Sequence, residues 1–544
     1  MPNFESRQAF RLVILFGMRR IGVWLQHLTT FAGSIWGPLL LTSVLGLPRL
    51  RFPMGDDAAI ISNAAQTILN GGTLYRDIWF NHGLPLNPLL FAAFGKVAGL
   101  SAATPHVIHL LESLAGVALV YSAGNLALGR KHGLFGAYIF GLVSMLFVPF
   151  DYVAEPEFLA GLLGAVATVF LLTCLNRQQA GRESRCGMLI LGAGFASGIA
   201  IAAKPVALPL VAAGLIWIWI FSKPFGLRYI SYYAIGAAIV PFALLAWIAA
   251  SGAIADMFDQ VIAFNRYYSH NPGSLYATIV ARINEALLLG LVLPLAVIGA
   301  VLVVRRWNNK VLWLLLWSGA GVAAAVGQGK PWAYHWFFAL PALSLLAAYA
   351  VINAKEVTQS RPLLWLAAAL IAASAISVKV SPISVKAIVD NTSKDVAAIV
   401  SLLPGSPDAS GYLTRFEYKG GTMADVKEVT SHLTSHTEES DPIFVWMYTN
   451  AYIMAQRRPA SKHAYLLPLI YGSDELLQET HGELMSDLRK NRPPYIVLPV
   501  SRGGYWKMVN VSFLTDPFSE LLEFVSNNYA LEAVVAKSEI YRLR

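Results

Sequence analysis

Two tandem aspartates, Asp56 and Asp57, open a segment that reads GDDAAIISNAAQTILNGGTLYRDIWFNHGLP from Gly55 to Pro85. Tyr75, Arg76, Asp77, Trp79, Asn81 and His82 lie within it, a high density of acid, base and imidazole for so apolar a chain. A carboxylate at a water boundary can take a proton from an attacking hydroxyl as a general base. Its structural use competes with that reading, because an acid ahead of the helical run AAIISNAAQTIL is also a good N-cap. A cap accounts for one acid and leaves YRDIW and NHGLP without a role.

Further polar residues sit between apolar runs: Asp151, Glu155 and Glu157; Lys204; Asn265, Arg266, Tyr267, Tyr268 and His270; Lys330, Trp332, Tyr334 and His335. Arginine grips phosphate as a bidentate fork and lysine as a compact charge, so Arg266, Lys204 and Lys330 are natural anion partners. Each has a plainer use. Arg266 can snorkel to lipid headgroups, Lys204 can be a turn lysine, and Lys330 through His335 can be an interfacial aromatic belt. Glu155-Pro156-Glu157 reads as a helix cap or as a contact to sugar hydroxyls. His82 lacks the His/Cys spacing of a metal ligand. No cofactor is required by the pattern, while a divalent cation on Asp56, Asp57 and Asp77 stays open. Tyr448, Tyr452, Arg457, Arg458, His463 and Tyr465 form a polar-aromatic group near the C-terminus, suited to headgroup or carbohydrate contact or to a solvated surface.

The elements that must position these residues are apolar. Hydrophobic residues make up 56% of the chain and charged residues 13%, with a mean hydropathy of +0.54. That composition is outside the soluble globular range and predicts a polytopic α-helical membrane protein. Eleven spans are predicted: Leu25–Leu47, Val107–Leu128, Leu134–Val148, Phe158–Leu175, Met188–Ala203, Pro205–Phe221, Ile230–Ala250, Ala286–Val304, Val311–Val326, Trp336–Ile352 and Leu363–Val378. Leu86–Leu100 is apolar but short and interrupted by Lys96, so it is expected to be a juxtamembrane or re-entrant helix.

Lysine and arginine accumulate in alternate loops, which sets an orientation with a cytoplasmic N-terminus. The candidate residues then share the opposite face. Ionisable groups at membrane depth are functional candidates by default, and their convergence on one face strengthens the case. The N-terminal apolar run is broken by Arg19 and Arg20 and has no small-residue cleavage pattern, so a retained start is expected. The net charge of +9 belongs to cytoplasmic loops, and no basic motif suggests nucleic acid.

From Lys379 the texture changes. Helical patterns at Thr422–Thr434, Asp474–Asn491 and Ser519–Asn527 alternate with strand-like runs Ile443–Met447, Tyr495–Pro499 and Leu531–Leu543, which predicts a C-terminal α/β domain, and the odd span count puts it on the face opposite the cytoplasm. The expected division is a transmembrane module over 1–378, with its first outer loop at 48–106, and a connector (Lys379–Leu403) plus α/β domain over 379–544. Neither cysteine falls in that domain, so no disulfide framework is expected there.

The first-loop acid pair, the Gly72-x-Leu74-Tyr75-Arg76-Asp77-x-Trp79 segment, the many spans and the terminal α/β domain together resemble the GT-C superfamily of polyprenyl-phosphate-sugar-dependent glycosyltransferases. The likeness is to bacterial protein-mannosyltransferase-like and lipid A aminoarabinose-transferase-like members, and it extends to Gln456–Ser461 and Arg492–Val497. It implies inverting transfer from a lipid-phosphate sugar to a hydroxyl of a glycan, glycolipid or exported protein, in a bacterial inner membrane. Asp56 matches the first acid of the family's pair, the base, and Asp57 stands where a glutamate is usual. Asn265-Arg266-Tyr267 looks like the arginine segment that binds donor phosphate. At Asn81-His82-Gly83-Leu84-Pro85 the chain departs from the Lys-Pro-Pro of aminoarabinose-transferase-like relatives, so either His82 contacts phosphate or Lys204 and Lys330 replace it. Tyr75, Arg76, Asp77, Glu155, Glu157, Tyr267, Tyr334 and His335 are the expected substrate contacts. A flippase for lipid-linked sugars is the alternative; it predicts repeat halves with broken helices and midplane charges, and neither is visible.

Overall fold

A computed structural model describes residues 30–221, 226–269, 292–328, 332–366, 368–370, 393–394, 396, 411–419, 421–500 and 519–544. Each predicted span corresponds to a helix among these residues: Trp36–Gly46, Thr104–Leu128, Arg130–Leu146, Pro156–Gln179, Cys186–Ala203, Leu208–Phe221, Gly226–Ala250, Val292–Val304, Asn309–Gly327, Leu340–Ile352 and a last one beginning at Arg361. Five are long and apolar enough to cross a membrane by length and composition: Thr104–Leu128, Pro156–Gln179, Cys186–Ala203, Gly226–Ala250 and Asn309–Gly327. Several others are shorter than expected. The Leu363–Val378 span is described only to Leu370, and the Lys379–Leu403 connector lies almost wholly outside the described residues.

Between helices whose surfaces are apolar all round, the drive to associate is close packing rather than burial from water. Gly194 and Gly198, one turn apart, lie directly against the Gly226–Ala250 backbone. A Cβ on either would fall 2.1 Å from the Tyr233 carbonyl oxygen or 2.4 Å from that of Ala237. The Leu86–Leu100 stretch, expected as a helix too short to span, is a helix over Leu86–Ala98 that packs beside Asp56–Leu69.

The C-terminal region is an α/β unit. Strands β1 (Glu417–Tyr418) and β2 (Gly421–Thr422) form a small antiparallel hairpin. Strands β3 (Ile443–Val445), β4 (Tyr495–Pro499), β5 (Tyr529–Val535) and β6 (Ser538–Leu543) form a four-stranded sheet in the order β3-β4-β6-β5. β3 and β4 pair in parallel, and the β4–β6 and β5–β6 pairs are antiparallel. A parallel pair needs a crossover, and the Asp474–Asn491 helix lies within it. β4, central and buried at every position, carries the near-continuous apolar run that burial on both faces requires.

The first loop and the sheet domain share one core. Phe52, Ile61, Tyr75, Trp79 and Phe80 are in the same buried cluster as Phe416, Phe444, Tyr452 and Tyr495. Phe416 meets Phe52 and Phe150 edge-on, each at 5.0 Å. Polar bonds fix the register: Asn63 Nδ2 donates to the Thr449 carbonyl and Asn450 Nδ2 to that of Met54, both at 2.9 Å. The expected boundary near 379 therefore divides the chain but not the core.

Candidate active site

The Asp56–Leu69 helix begins immediately after Gly55, which is itself the N-cap. Neither aspartate is spent on capping: both lie in the first turn, where the helix dipole favours negative charge. Gly55 is there for space, because a Cβ would fall 2.5 Å from Asp151 Cα and 2.8 Å from its Oδ1. Two chain segments thus cross in contact and bring Asp151 beside the aspartate pair.

Asp56 faces the C-terminal domain. Lys419 Nζ is 2.7 Å from Asp56 Oδ2, and Tyr418 Oη donates to Asp56 Oδ1. Lys419 also donates to the Met447 carbonyl at 2.7 Å. It stands at the turn of the β1–β2 hairpin at φ +46°, an uncommon region for a side chain with a Cβ. The Asp56 side chain keeps 35% exposure, so solvent and a small hydroxyl can reach it.

Asp57 belongs to an inner cluster with Glu155, Glu157 and Lys204. Burial and the adjacent Asp56 charge push the Asp57 carboxyl up to about 6. Glu155, at the N-cap of the Pro156–Gln179 helix, lies close enough to Asp57 for the two carboxyl groups to influence each other. Burial, then the charges of Asp57 and Glu157, raise Glu155 well above the usual carboxylate range. Lys204 Nζ pairs with Glu157 Oε1 at 2.9 Å. Burial opposes its charge, but Glu157, Glu155 and Asp57 outweigh that and raise its pKa. His335 Nε2 lies 3.9 Å from the same Glu157 oxygen. Asp151 is pushed up to about 8 by burial and by the charges of Asp56 and Asp57.

The far end of the loop is stitched to the 258–269 segment. Asn265 Nδ2 donates to the Asn81 carbonyl at 2.6 Å, Asn81 Nδ2 donates to Asn265 Oδ1 at 3.2 Å, and Tyr465 donates to Asn81 Oδ1 at 2.5 Å. Gln260 braces the same joint, accepting from Phe80 N at 2.8 Å and donating to the Tyr75 carbonyl at 2.7 Å. Arg266, one residue past that joint, is exposed, as is Tyr267. Tyr334 stacks edge-on against Tyr152 at 4.9 Å and feels the charges of Asp57, Glu155 and Glu157.

Some expected roles change. Tyr75 is fully buried and its hydroxyl donates to the Gly83 carbonyl at 2.8 Å, so it shapes the loop rather than meeting substrate. Arg76 and Asp77 pair with each other at 3.2 Å at the surface, and Asp77 Oδ2 accepts from Thr73 N at 2.6 Å. Asp56, Asp57 and Asp77 therefore do not form a joint donor set for a cation. His82 stacks on Phe80, and burial with the nearby Lys204 charge lowers it to about 3. It is a neutral imidazole, unable to replace a lysine as a phosphate cation. Lys204 is committed to Glu157 rather than free. Lys330 and His270 lie outside the described residues. Sequence reading missed Tyr418 and Lys419. The Lys419-Gly420-Gly421 run signals a tight turn, yet nothing in its spacing points to Asp56.

No protein-family model and no curated protein matches the chain. Among solved structures, it is similar to ArnT from Cupriavidus metallidurans bound to undecaprenyl phosphate, with TM-score 0.58 and 13% identity over 93% of this chain and 97% of that one. The apo state of the same protein gives TM-score 0.54 and 14% identity, covering 93% and 96%. Archaeal oligosaccharyltransferase AglB from Archaeoglobus fulgidus gives TM-score 0.49 and 12% identity, covering 94% and 74%. The likeness to ArnT runs nearly end to end through both chains, and this protein shares the fold of ArnT.

Proposed function

We propose that the protein is an inverting glycosyltransferase that moves a sugar from a polyprenyl-phosphate donor to an acceptor hydroxyl at the extracytoplasmic face of a bacterial inner membrane. The observation that carries this reading is Asp56, a partly exposed carboxylate left uncapped at a helix start and held between Tyr418 and Lys419. Its setting on a fold similar to that of an undecaprenyl-phosphate-bound protein supports the donor class. The lysine and arginine loop bias supports the orientation.

Asp56 takes the acceptor proton as the hydroxyl attacks the anomeric carbon, and the phosphate departs with the bonding electrons. A single displacement needs one base and positive charge at the leaving group, because phosphate leaves without a general acid. Lys204 supplies that charge by exchanging Glu157 for phosphate, with Arg266 on the adjoining segment. His82 donates as a neutral ring. Glu155, its ionisation opposed by burial, keeps the cluster from accumulating unbalanced charge. Lys419 is a positioning residue, since it touches the base rather than the substrate.

The test is transfer in vitro from defined polyprenyl-phosphate sugars. Asp56→Asn is expected to fold and bind donor while losing at least about 100-fold in kcat, the usual range for a positioned base. Lys419→Met is expected to lose about tenfold in kcat with KM little changed. Full activity in Asp56→Asn removes the base assignment, and movement of lipid-linked sugar across vesicles without transfer removes the transferase reading.

A further inference from the structure

The C-terminal domain holds a second cluster of chemistry-bearing side chains that the transfer reaction does not use. His432 and His436 are one turn apart on the Met423–His436 helix, so they share a face. Their rings lie nearly parallel with centroids 4.3 Å apart. Glu532, from β5, reaches the same place, and its Oε1 is 3.1 Å from His432 Nε2. One ligand atom from each of the three lies within 4.8 Å of the others.

Further contacts set these groups up as ligands. His436 Nδ1 is 2.8 Å from the His432 carbonyl. A carbonyl only accepts, so Nδ1 carries the proton and Nε2 keeps its lone pair. The backbone thereby selects the tautomer, as the outer contacts of metal-binding histidines do. Tyr495 donates to both oxygens of Glu532 at 3.1 Å, and Arg542 Nη1 lies 3.5 Å from Oε2. These contacts orient the carboxylate. A surface pocket lined by Ala424, Lys427, Glu428, Ser431, His432 and Val535 opens beside His432, leaving room for a solvent ligand.

We propose that His432, His436 and Glu532 form a Zn²⁺-class metal site, with two imidazoles, one carboxylate and a solvent-filled fourth position. Imidazole with carboxylate is a borderline donor set that suits zinc. The separation of His432 Nε2 from Glu532 is close to the spacing of adjacent donors around a tetrahedral ion whose bonds are about 2.0–2.1 Å. In the bound state the His432 Nε2 lone pair faces the ion and its ring proton sits on Nδ1; protons compete with the metal for the ligand atoms, so affinity falls as the solution is acidified. The ion ties the helix to β5, which is an edge strand of the sheet. An exposed edge is a liability that proteins cover, and this clamp is one way of covering it. The same helix begins at Thr422, directly after the Lys419 turn, and a capping box with Asp425 fixes its start. The proposal does not depend on the transferase reading.

The full-length protein in detergent, with any affinity tag removed, is titrated with Co²⁺ and then with competing Zn²⁺. The expected result is one equivalent of Co²⁺ with the visible absorption of a tetrahedral site, displaced by Zn²⁺. His436→Ala and Glu532→Ala are each expected to weaken binding at least about tenfold, and Tyr495→Phe by less. Zn²⁺ is also expected to raise the thermal midpoint of the wild type and not of His436→Ala. No Co²⁺ binding by the wild type, or unchanged binding by His436→Ala, overturns the site. Because His436 is exposed, that variant folds whatever the outcome.

Discussion

At the scale of single residues, the site separates two aspartates that are adjacent in sequence. Asp56 points to Tyr418 and Lys419, whereas Asp57 joins Glu155 and Lys204. The third aspartate, Asp151, gives a test through pH. Its carboxyl is pushed up to about 8 from an unfolded value of 3.8. Between these values the folded state binds more protons than the unfolded chain, so stability falls as pH rises through that window. Asp151→Asn removes the titration without changing the shape. Its thermal midpoint is expected to show a flatter pH dependence from about 4 to about 8 than the wild type. Parallel curves for the two proteins contradict the burial of a protonated Asp151.

At the scale of elements, the start of the Asp56–Leu69 helix depends on the turn at 150–154. Ala154 sits at φ +56°, and Tyr75 and Lys419 are also in the left-handed region at +71° and +46°. Lys419 pairs with Asp56 and Ala154 directly precedes Glu155, and strained backbone is retained where surrounding structure over-determines it. Gly55→Ala tests this crossing, because its methyl would meet Asp151 backbone 2.5 Å away. Overpacking of that kind costs about 1–3 kcal/mol. The variant is expected to melt earlier and to lose transfer, since Asp56 moves with the helix start. A variant with unchanged melting and unchanged transfer shows the crossing to be unimportant.

At the scale of the whole molecule, the loop after the first span and the sheet domain are one packed body. Phe52, Trp79 and Phe80 lie under Phe416, His463 and their neighbours; the Trp79 and His463 rings are 5.4 Å apart. Each fully buried aromatic side chain contributes about 1.5–3 kcal/mol, which becomes exposed apolar surface if the partner is removed. A chain ending at residue 378 is therefore expected to aggregate in detergent and to transfer nothing, lacking both Lys419 and the cover over the loop. A monodisperse, active truncation, read by size-exclusion chromatography and transfer assay, would show that the membrane module is self-sufficient.

Much of the architecture follows from local pattern. Apolar length placed the spans, and period changes placed Asp474–Asn491 and Tyr495–Pro499 at the limits the structure has. The acid pair and Glu155, Glu157 and Lys204 were also legible, because an ionisable residue in an apolar setting stands out on its own. Partnership was not legible. Tyr418 and Lys419 reach Asp56 across more than 360 residues of chain, and His82 becomes neutral only through the enclosure it meets beside Lys204. Tyr75, conspicuous in sequence, turned out to be an internal brace. Hydrophobic period and charge type are properties of a segment and act wherever that segment goes. Which charge meets which, and how much water stays between them, depends on the docking of segments distant in the chain, and only the tertiary structure decided it.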